Sequence, residues 1–220
     1  KIYSHYGIND FVICCGYKGE VIKEYFLNYL QKYSDLSIDL ENNQVEVHRS
    51  LIEPWRITFI DTGLHSMTGG RIKRISDFIK HDPFFCLTYG DGVSNVNLKL
   101  LIEFHLNHKK CVSITAVKPP GRFGALKINE NMYVNSIVEK PEGDNSWING
   151  GFFICNPEVI DEIDGDETVF EQEPLANLAN KNELMAFRHQ GFWQPMDTLR
   201  DKKVLEVLWN KQNAPWKIWP

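Results

Sequence analysis

The chain has 220 residues, of which 43% are hydrophobic, 12% aromatic and 24% charged, and its formal net charge is -5. This composition is typical of a soluble globular protein with a real core, and it excludes a disordered chain. The acidic balance, without a long basic run, argues against broad nucleic-acid binding, and no apolar stretch approaches the length of a membrane span.

Strand-like and helix-like segments alternate along the first half of the chain. Short apolar runs predict strands at residues 11–15, 56–60, 84–87 and 112–117. Between them, apolar residues at helical spacing predict amphipathic helices at residues 21–33, 71–79 and 98–104. Two weakly alternating runs around Asn42-Asn43 predict a small hairpin. The alternation predicts a mainly parallel sheet with helices on both faces.

The pattern changes after Pro119-Pro120. Three strand-like runs, at residues 125–128, 133–139 and 148–155, follow one another without long helices and predict a mixed or antiparallel extension. A helix is expected around residues 170–180, a strand at 184–187 and a final helix at 198–210. The tail, with Trp216 and Trp219, is either an arm folded onto the body or a subunit contact. Without a repeat or a linker, residues 1–220 are expected to form one domain.

Five cysteines occur without a paired Cys-x-x-Cys or a Cys/His spacing suited to zinc. Most lie in apolar, strand-like runs, so we expect reduced core residues. The polar residues 1–6 lack the apolar core of a signal peptide. We therefore expect a cytoplasmic protein.

Asp91 lies between Gly90 and Gly92, directly after the strand predicted at residues 84–87. In open α/β sheets, ligands collect outside the carboxyl ends of the strands. A carboxylate at that edge can hold Mg2+ against a phosphate, and the flanking glycines allow close approach. The competing interpretation is an ordinary Asp-Gly turn.

A second candidate segment, Thr68-Gly69-Gly70-Arg71, opens a predicted helix. Free backbone N–H groups and the helix dipole would attract an anion or a base edge at this point. The glycines would let a planar ligand lie against the backbone, and Arg71 could bind a phosphate with two hydrogen bonds. Alternatively, Thr68 is an ordinary N-cap and Arg71 is solvated.

Polar residues also mark the ends of later strands. Glu139 and Lys140 could hold a sugar hydroxyl and a phosphate, or they could form an exposed charged pair. Asn149, next to Gly150 and Gly151, could recognise a hydroxyl, or the glycines could mark a β-bulge.

Asp197 precedes the predicted final helix, so it is either the N-cap of that helix or a second carboxylate on the metal of Asp91. The two residues are far apart in the sequence, and only the fold could bring them together. His105 and His108 are three residues apart on a predicted helix, and we favour a solvated face for them over a metal pair.

Taken in order, these motifs resemble the sugar-nucleotide pyrophosphorylases, and most of all the bacterial glucose-1-phosphate cytidylyltransferase branch of that family. The matching strings are Cys14-Cys15-Gly16-Tyr17-Lys18-Gly19, Asp61-Thr62-Gly63, Ser66-Met67-Thr68-Gly69-Gly70-Arg71, Tyr89-Gly90-Asp91-Gly92, Pro119-Pro120-Gly121-Arg122-Phe123-Gly124-Ala125-Leu126, Glu139-Lys140-Pro141, Asn149-Gly150-Gly151-Phe152-Phe153, Glu171-Gln172-Glu173-Pro174-Leu175 and Phe192-Trp193-Gln194-Pro195-Met196-Asp197-Thr198. Any one string is weak, but the ordered set covers essentially the whole chain and is specific.

The resemblance implies a fold and a reaction. The fold would be a three-layer, Rossmann-like α/β nucleotidyltransferase fold with a mainly parallel mixed sheet and a small β extension for the sugar. The reaction would transfer CMP from CTP to α-D-glucose 1-phosphate, giving CDP-glucose and pyrophosphate. The product would feed a dehydratase on the way to the 3,6-dideoxyhexoses of surface polysaccharide such as O-antigen, and the enzyme would be a homo-oligomer.

The resemblance also implies roles for individual residues. Asp91 and Asp197 would hold the Mg2+ cofactor, and Lys140 would meet the sugar phosphate. The nucleotide would be lined by Ser66, Thr68, Gly69, Gly70, Arg71 and Gly90. The glucose hydroxyls would be met by Glu139, Asn149 and Gly150, with Glu173 at the rim.

One part of the family pattern is absent from these 220 residues. The family begins with a strand and a Gly-rich phosphate loop, followed by a Lys-Pro segment, whereas residues 1–7 look like the end of the first helix. Relative to the family, we expect a domain truncated at its N-terminus, with a compromised core and little or no transferase activity on its own. The alternatives are a transferase of other base specificity, a metal-dependent glycosyltransferase and an inactive binding or assembly module.

Overall fold

Helices and strands alternate along the chain as the hydrophobic periodicity predicts. The computed structural model describes residues 1–50, 52–119, 125–128, 132, 134–138 and 146–220. In these residues the helices are α1 (Ile2–His5), α2 (Gly19–Leu27), α3 (Tyr29–Lys32), α4 (Thr68–Arg74), α5 (Ser76–Ile79), α6 (Leu98–His108), α7 (Glu173–Asn180) and α8 (Leu199–Asn210), with a 3-10 helix at Pro157–Glu162. The strands are β1 (Asp10–Cys15), β2 (Ser34–Asp39), β3 (Gln44–Ser50), β4 (Arg56–Asp61), β5 (Phe85–Thr88), β6 (Gly92–Ser94), β7 (Val112–Val117), β8 (Ala125–Ile128), β9 (Val134–Val138), β10 (Ile148–Cys155), β11 (Leu184–His189) and β12 (Trp193–Pro195). No helix in the described ranges is long and apolar enough to cross a membrane.

The central sheet has the strand order β11-β7-β10-β5. β11 runs parallel to β7, whereas β10 runs antiparallel to both of its neighbours. β1 and β4 form a second, parallel pair. The expected α/β architecture with a mixed sheet is confirmed. The central sheet is less parallel than expected, because β10 runs opposite to β7 and β5 and only β11 with β7 forms a parallel pair.

β10 is buried on both faces, which explains its unbroken apolar run. Phe152 and Ile154 pack in one core cluster with Leu98 and Leu101 of α6. Alternate residues, such as Phe153, belong to a second cluster that includes side chains of α4, α5 and α7. Successive side chains of a strand point to opposite faces, so the sheet lies between two helical layers.

Two small antiparallel hairpins lie outside the central sheet. The predicted hairpin around Asn42-Asn43 is formed by β2 and β3. β8 pairs with β9 as the expected β extension, with Ala125 opposite Val138. Glu139 and Lys140, predicted at the end of this extension, lie outside the described residues.

The helix predicted at residues 21–33 is divided into α2 and α3 at Asn28. Its aromatic side chains pack on Trp55, with ring centroids 6.3 Å away for Phe26 and 5.7 Å away for Tyr29. By contrast, Val21 and Tyr25, which belong to the predicted apolar face, are 55% and 43% exposed. The predicted apolar face is therefore wider than the face that the fold buries.

The cysteines are reduced and belong to the packed interior, as expected. Cys15 and Cys155 are buried, and the others are half-buried. Burial raises the pKa of the Cys14 thiol to about 11 and that of Cys86 to about 12. Thiols with such raised pKa values are poor nucleophiles at neutral pH, which is consistent with a packing role.

The tryptophan-containing tail folds back onto the body of the chain. Trp216 is 7% exposed, and its ring stacks on Phe192 at 5.4 Å and on Trp209 of α8 at 6.5 Å. This packing favours the interpretation of the tail as a terminal arm.

Candidate active site

A short antiparallel pair, β6 and β12, brings two distant parts of the chain together. Gly92 faces Pro195 in this pair, and the Met196 N–H donates to the Asp91 carbonyl at 2.7 Å. Asp91 immediately precedes β6, Asp197 follows β12 by two residues, and both are exposed. The fold therefore places the two predicted metal ligands at the same end of one strand pair.

The N-cap of α8 is Thr198 and not Asp197. Thr198 Oγ1 accepts a hydrogen bond from the Asp201 N–H at 3.1 Å, and the Thr198 N–H donates to the Asp201 carboxylate at 3.1 Å, which completes a capping box. The alternative interpretation of Asp197 as the N-cap is therefore wrong. Asp201 also accepts from Gln194 of β12 at 3.1 Å, so one buried carboxylate holds both flanks of the turn that carries Asp197.

The surroundings of Asp91 fit a hard divalent cation. An added Cβ on Gly90 or Gly92 would meet nothing within 4 Å, so this loop leaves room for a ligand. Mg2+ is usually bound through one or two carboxylates together with substrate phosphates and water. In the described part of the chain, no group of three or more His, Cys, Asp or Glu residues is arranged to hold a metal ion. A Mg2+ ion on Asp91 and Asp197 would therefore need oxygen ligands from the substrate.

The glycines at the start of α4 pack against a loop of the same chain. The N–H groups of Gly69 and Gly70 donate to the Thr168 carbonyl at 2.9 and 3.3 Å. An added Cβ would lie 2.7 Å from that carbonyl oxygen at Gly69, and 2.5 Å from the Asp166 Cα at Gly70. The N–H groups of both glycines are therefore engaged by the loop at residues 166–168 and are not free as expected, and a contact of these glycines with a nucleotide stays a prediction.

Ser66 takes part in the same packing and is 8% exposed. The guanidinium of Arg74 holds the pKa of Asp166 below its usual range, and a hydrogen bond from Ser66 acts in the same direction. The Ser66 hydroxyl is therefore directed toward the loop at residues 166–168.

Arg71 lies at the carboxyl end of β1 rather than on a solvated face. Its Nη1 donates to Thr62 Oγ1 at 2.7 Å and to the Cys15 carbonyl at 3.3 Å. It also occupies the space beside Gly16, where an added Cβ would lie 2.6 Å from Nη1. The alternative of a solvated Arg71 is wrong, and its positive charge lies where strands of the parallel pair end.

A single carboxylate, Glu171, connects three of the predicted motifs. It accepts a hydrogen bond from Thr68 Oγ1 at 2.6 Å and another from the Tyr89 hydroxyl. The Tyr89 hydroxyl in turn accepts from Asn149 Nδ2 at 3.1 Å. Burial, reinforced by Glu171, raises the pKa of Tyr89 well above its usual value, so the hydroxyl stays protonated. Thr68 is not the N-cap of α4, which is Met67.

A β-bulge positions Asn149 beside Tyr89, as the alternative interpretation of the glycines predicted. The register of β10 on β7 shifts between Asn149 and Phe153. Asn149 Oδ1 accepts from the Gly151 N–H at 2.8 Å. Gly151 has a φ of +76°, and an added Cβ would lie 2.7 Å from the Tyr89 ring. Glycine is needed at this position because the backbone is left-handed and the aromatic ring lies directly against it.

Sequence reasoning missed two of the residues that organise this region. Glu173 is exposed in the first turn of α7, and the carboxylate that reaches the predicted motifs is that of Glu171. Trp193 was also missed, and its indole N–H donates to the carbonyl of buried Gly150 at 2.7 Å. Both residues lie in strings quoted for the resemblance, but only the three-dimensional contacts distinguish them from their neighbours.

Of the two histidines of α6, His105 lies in the core and His108 is half-buried. His105 is 2% exposed, with Nδ1 2.9 Å from Ser113 Oγ and Nε2 2.8 Å from Asn156 Oδ1. His108 Nε2 lies 2.6 Å from the Ser113 hydroxyl oxygen. The expectation of a solvated face is therefore wrong, and burial lowers the pKa of both imidazoles.

Comparisons with known proteins agree with the motifs and the fold. Residues 4–200 match the family model described as nucleotidyl transferase. The glucose-1-phosphate cytidylyltransferase of Salmonella typhimurium is 58% identical over 219 residues, which cover 100% of this chain and 85% of the relative. The probable glucose-1-phosphate cytidylyltransferase of Bacillus subtilis is 41% identical over 220 residues, with the same coverage of 100% and 85%.

A solved structure supports the architecture. HddC from Yersinia pseudotuberculosis has a TM-score of 0.61 at 23% identity, covering 92% of this chain and 80% of that chain. At this level of identity the likeness concerns the fold alone.

Proposed function

This chain belongs to the nucleotidyl transferase family, and we propose that it transfers CMP from CTP to α-D-glucose 1-phosphate, giving CDP-glucose and pyrophosphate. The observation that carries this proposal is the similarity, over the whole chain, to cytidylyltransferases from Salmonella and Bacillus. The family membership expected from the ordered motifs is thereby confirmed.

The reaction is an in-line displacement at phosphorus. A phosphate oxygen of glucose 1-phosphate attacks the α-phosphorus of CTP and forms the new P–O bond of CDP-glucose. The bond from that phosphorus to the α–β bridging oxygen breaks, and pyrophosphate leaves with the bonding electrons. Because both reactants already carry the reacting groups, positioning and charge neutralisation contribute most of the catalysis.

Asp91 and Asp197 are the proposed ligands of Mg2+, through their carboxylate oxygens. The pairing of β6 with β12 and the open space at Gly90 support this assignment. When bound, the ion would supply positive charge against the triphosphate. The contribution of the chain is to hold both carboxylates at one end of the strand pair and to leave the backbone at Gly90 accessible.

The remaining substrate contacts are proposed from the resemblance. The groups proposed for the nucleotide are Ser66, Thr68, Gly69, Gly70, Arg71 and Gly90, and those for the sugar and its phosphate are Glu139, Lys140, Asn149, Gly150 and Glu173. The hydrogen bonds that join Thr68 and Asn149 through Glu171 support a common site for the two groups. The resemblance also supports a homo-oligomer and a product used for 3,6-dideoxyhexoses.

Pyrophosphate release by the full-length protein tests this function. We expect glucose 1-phosphate to be used with CTP at a kcat/KM about a hundredfold above that with UTP, dTTP, ATP or GTP, because a site that pairs with one base leaves polar groups unpaired with the others. Activity should require Mg2+ and disappear with EDTA. A preference for another nucleotide would contradict the assignment of CTP as the donor. Turnover without a divalent metal ion would contradict the role of Mg2+.

A further inference from the structure

Glu171 connects the start of α4, the end of β5 and the bulge of β10, although these segments are distant in the sequence. We propose that Glu171 is a positioning residue that orients the Asn149 amide toward the sugar through the Tyr89 hydroxyl. The proposal deepens the proposed function and rests on it.

The direction of each hydrogen bond in this network is fixed by chemistry. The Phe170 N–H can only donate, and it does so to Thr68 Oγ1 at 2.9 Å. The Asn149 amide N–H likewise donates to the Tyr89 hydroxyl at 3.1 Å. Each hydroxyl therefore accepts one bond, and each directs its single proton to Glu171. Glu171 thus receives two O–H donors, one on each carboxylate oxygen.

A carboxylate satisfies both donors, because each of its two oxygens accepts one hydrogen bond. A glutamine in this place has one acceptor oxygen and one N–H2 group, so one of the two hydroxyls would face a donor. The side chain that loses its acceptor would turn away, and for Tyr89 this removes the fixed partner of Asn149. The two acceptor oxygens of Glu171 are therefore required by the network itself, independently of any ligand.

The Tyr89 ring is also held by packing. It lies against the backbone of Gly151, where a Cβ would approach it to 2.7 Å, and its centroid is 5.8 Å from that of Phe153 in an edge-on arrangement. With the ring held in this way, its hydroxyl is a fixed point from which the Asn149 amide is oriented.

Asn149 retains hydrogen-bonding capacity for a ligand. Its Oδ1 accepts from Gly151 and one amide N–H donates to Tyr89, which uses half of its potential within the described residues. A second N–H and a second lone pair are left for a sugar hydroxyl. Because both internal bonds are directional, they also fix the plane in which the remaining groups are presented.

Kinetic constants of single and double variants test the coupling. We expect Glu171→Gln and Tyr89→Phe each to raise the KM for glucose 1-phosphate about tenfold, which is the size of one lost hydrogen bond. Tyr89→Phe leaves the bond from Thr68 to Glu171 intact, so in this variant the KM for CTP should change less than about twofold. The double variant should resemble the single variants, because both changes interrupt the same connection. Glu167→Gln, an exposed carboxylate of the same loop, is the matched control and should behave as wild type.

An unchanged KM for glucose 1-phosphate in Glu171→Gln would overturn the proposal, as would a parallel rise in both KM values in Tyr89→Phe. A double variant whose effect equals the product of the single effects would show that Glu171 does not act through Tyr89. Calorimetric titration with glucose 1-phosphate gives the same comparison as a Kd. A wild-type protein that binds glucose 1-phosphate without converting it to CDP-glucose would contradict the proposed function. The difference in Kd between wild type and the variants would still test the network.

Discussion

At the scale of single residues, the site depends on a few carboxylates whose surroundings differ sharply. Asp91 and Asp197 are exposed at one end of a strand pair, and Glu171 and Asp201 are less exposed and accept hydrogen bonds from other segments of the chain. Exposed carboxylates near open backbone suit a metal and a phosphate, and carboxylates that accept bonds from several segments suit positioning.

Replacing either proposed metal ligand should abolish turnover. We expect Asp91→Asn and Asp197→Asn each to lower kcat/KM by more than about a hundredfold, because a neutral amide binds Mg2+ poorly, while the fold persists since both positions are exposed. Pyrophosphate release and circular dichroism melting measure the two effects. Asp82→Asn, another exposed carboxylate, is the control. Near-wild-type activity in either ligand variant would exclude the metal role.

Gly70 should matter for stability because of the backbone beside it. We expect Gly70→Ala to lower the free energy of unfolding by about 1–3 kcal/mol, since the new Cβ would lie 2.5 Å from the Asp166 Cα and the loop must move. Urea denaturation measures the change. Gly165→Ala, in the same loop but with open space around it, should change stability by less than about 0.5 kcal/mol. Equal effects in the two variants would mean that the packing of α4 on this loop is not the cause.

At the scale of secondary-structure elements, apolar runs of four or more residues were predictable, and three-residue strands without such a run were not. β7 has the predicted bounds, Val112–Val117, because its β-branched run is buried on both faces. β6 and β12 have three residues each and no periodicity, so sequence reasoning missed the pair that brings Asp91 and Asp197 together. The helix at residues 21–33 was predicted too long, because aromatic spacing alone does not reveal the break at Asn28.

The capping box of α8 should couple helix stability to metal binding. We expect Asp201→Ala to destabilise the protein by about 1–2 kcal/mol through loss of the cap, and to raise the Mg2+ concentration needed for half-maximal activity. Thermal melting and Mn2+ binding followed by electron paramagnetic resonance measure these effects separately. Glu206→Ala, on the exposed i,i+4 pair with Lys202, should change neither by much. If Asp201→Ala binds Mn2+ as wild type does, the Asp201 side chain only stabilises α8 and does not affect the metal site.

At the scale of the whole molecule, the motifs predicted the family and the architecture, but not the internal contacts. The order of the strings was enough to identify a nucleotidyl transferase. The contacts of Gly69 and Gly70 depend on a loop about a hundred residues further along the chain, and the local sequence does not indicate which loop packs beside them. The same limit explains why sequence reasoning did not identify Glu171.

The imidazoles of α6 should make stability depend on pH, because His105 is buried and His108 is half-buried. Burial lowers the pKa of His105 and His108 in the folded state below the ordinary value of 6.5, with His108 also facing Lys110 and Glu183. The unfolded chain therefore binds more protons as the pH falls, so stability is complete above about pH 6.5 and decreases toward the folded-state pKa values. Denaturant titrations between about pH 7.5 and 5 measure this slope.

A double replacement, His105→Asn with His108→Asn, should flatten the pH dependence in that window. His81→Asn, an exposed histidine, is the control variant. A slope that is the same in the double variant and in wild type would assign the pH dependence to other groups.

The tryptophan that stacks in the tail makes the intrinsic fluorescence of the protein sensitive to changes near the site. Phe192 lies under the Trp216 ring, next in sequence to Trp193 of β12, and the turn bearing Asp197 begins where that strand ends. An event that shifts this turn also shifts the surroundings of two indoles, whose emission responds to polarity. Occupation of the site should therefore be visible in the intrinsic fluorescence of the unlabelled protein.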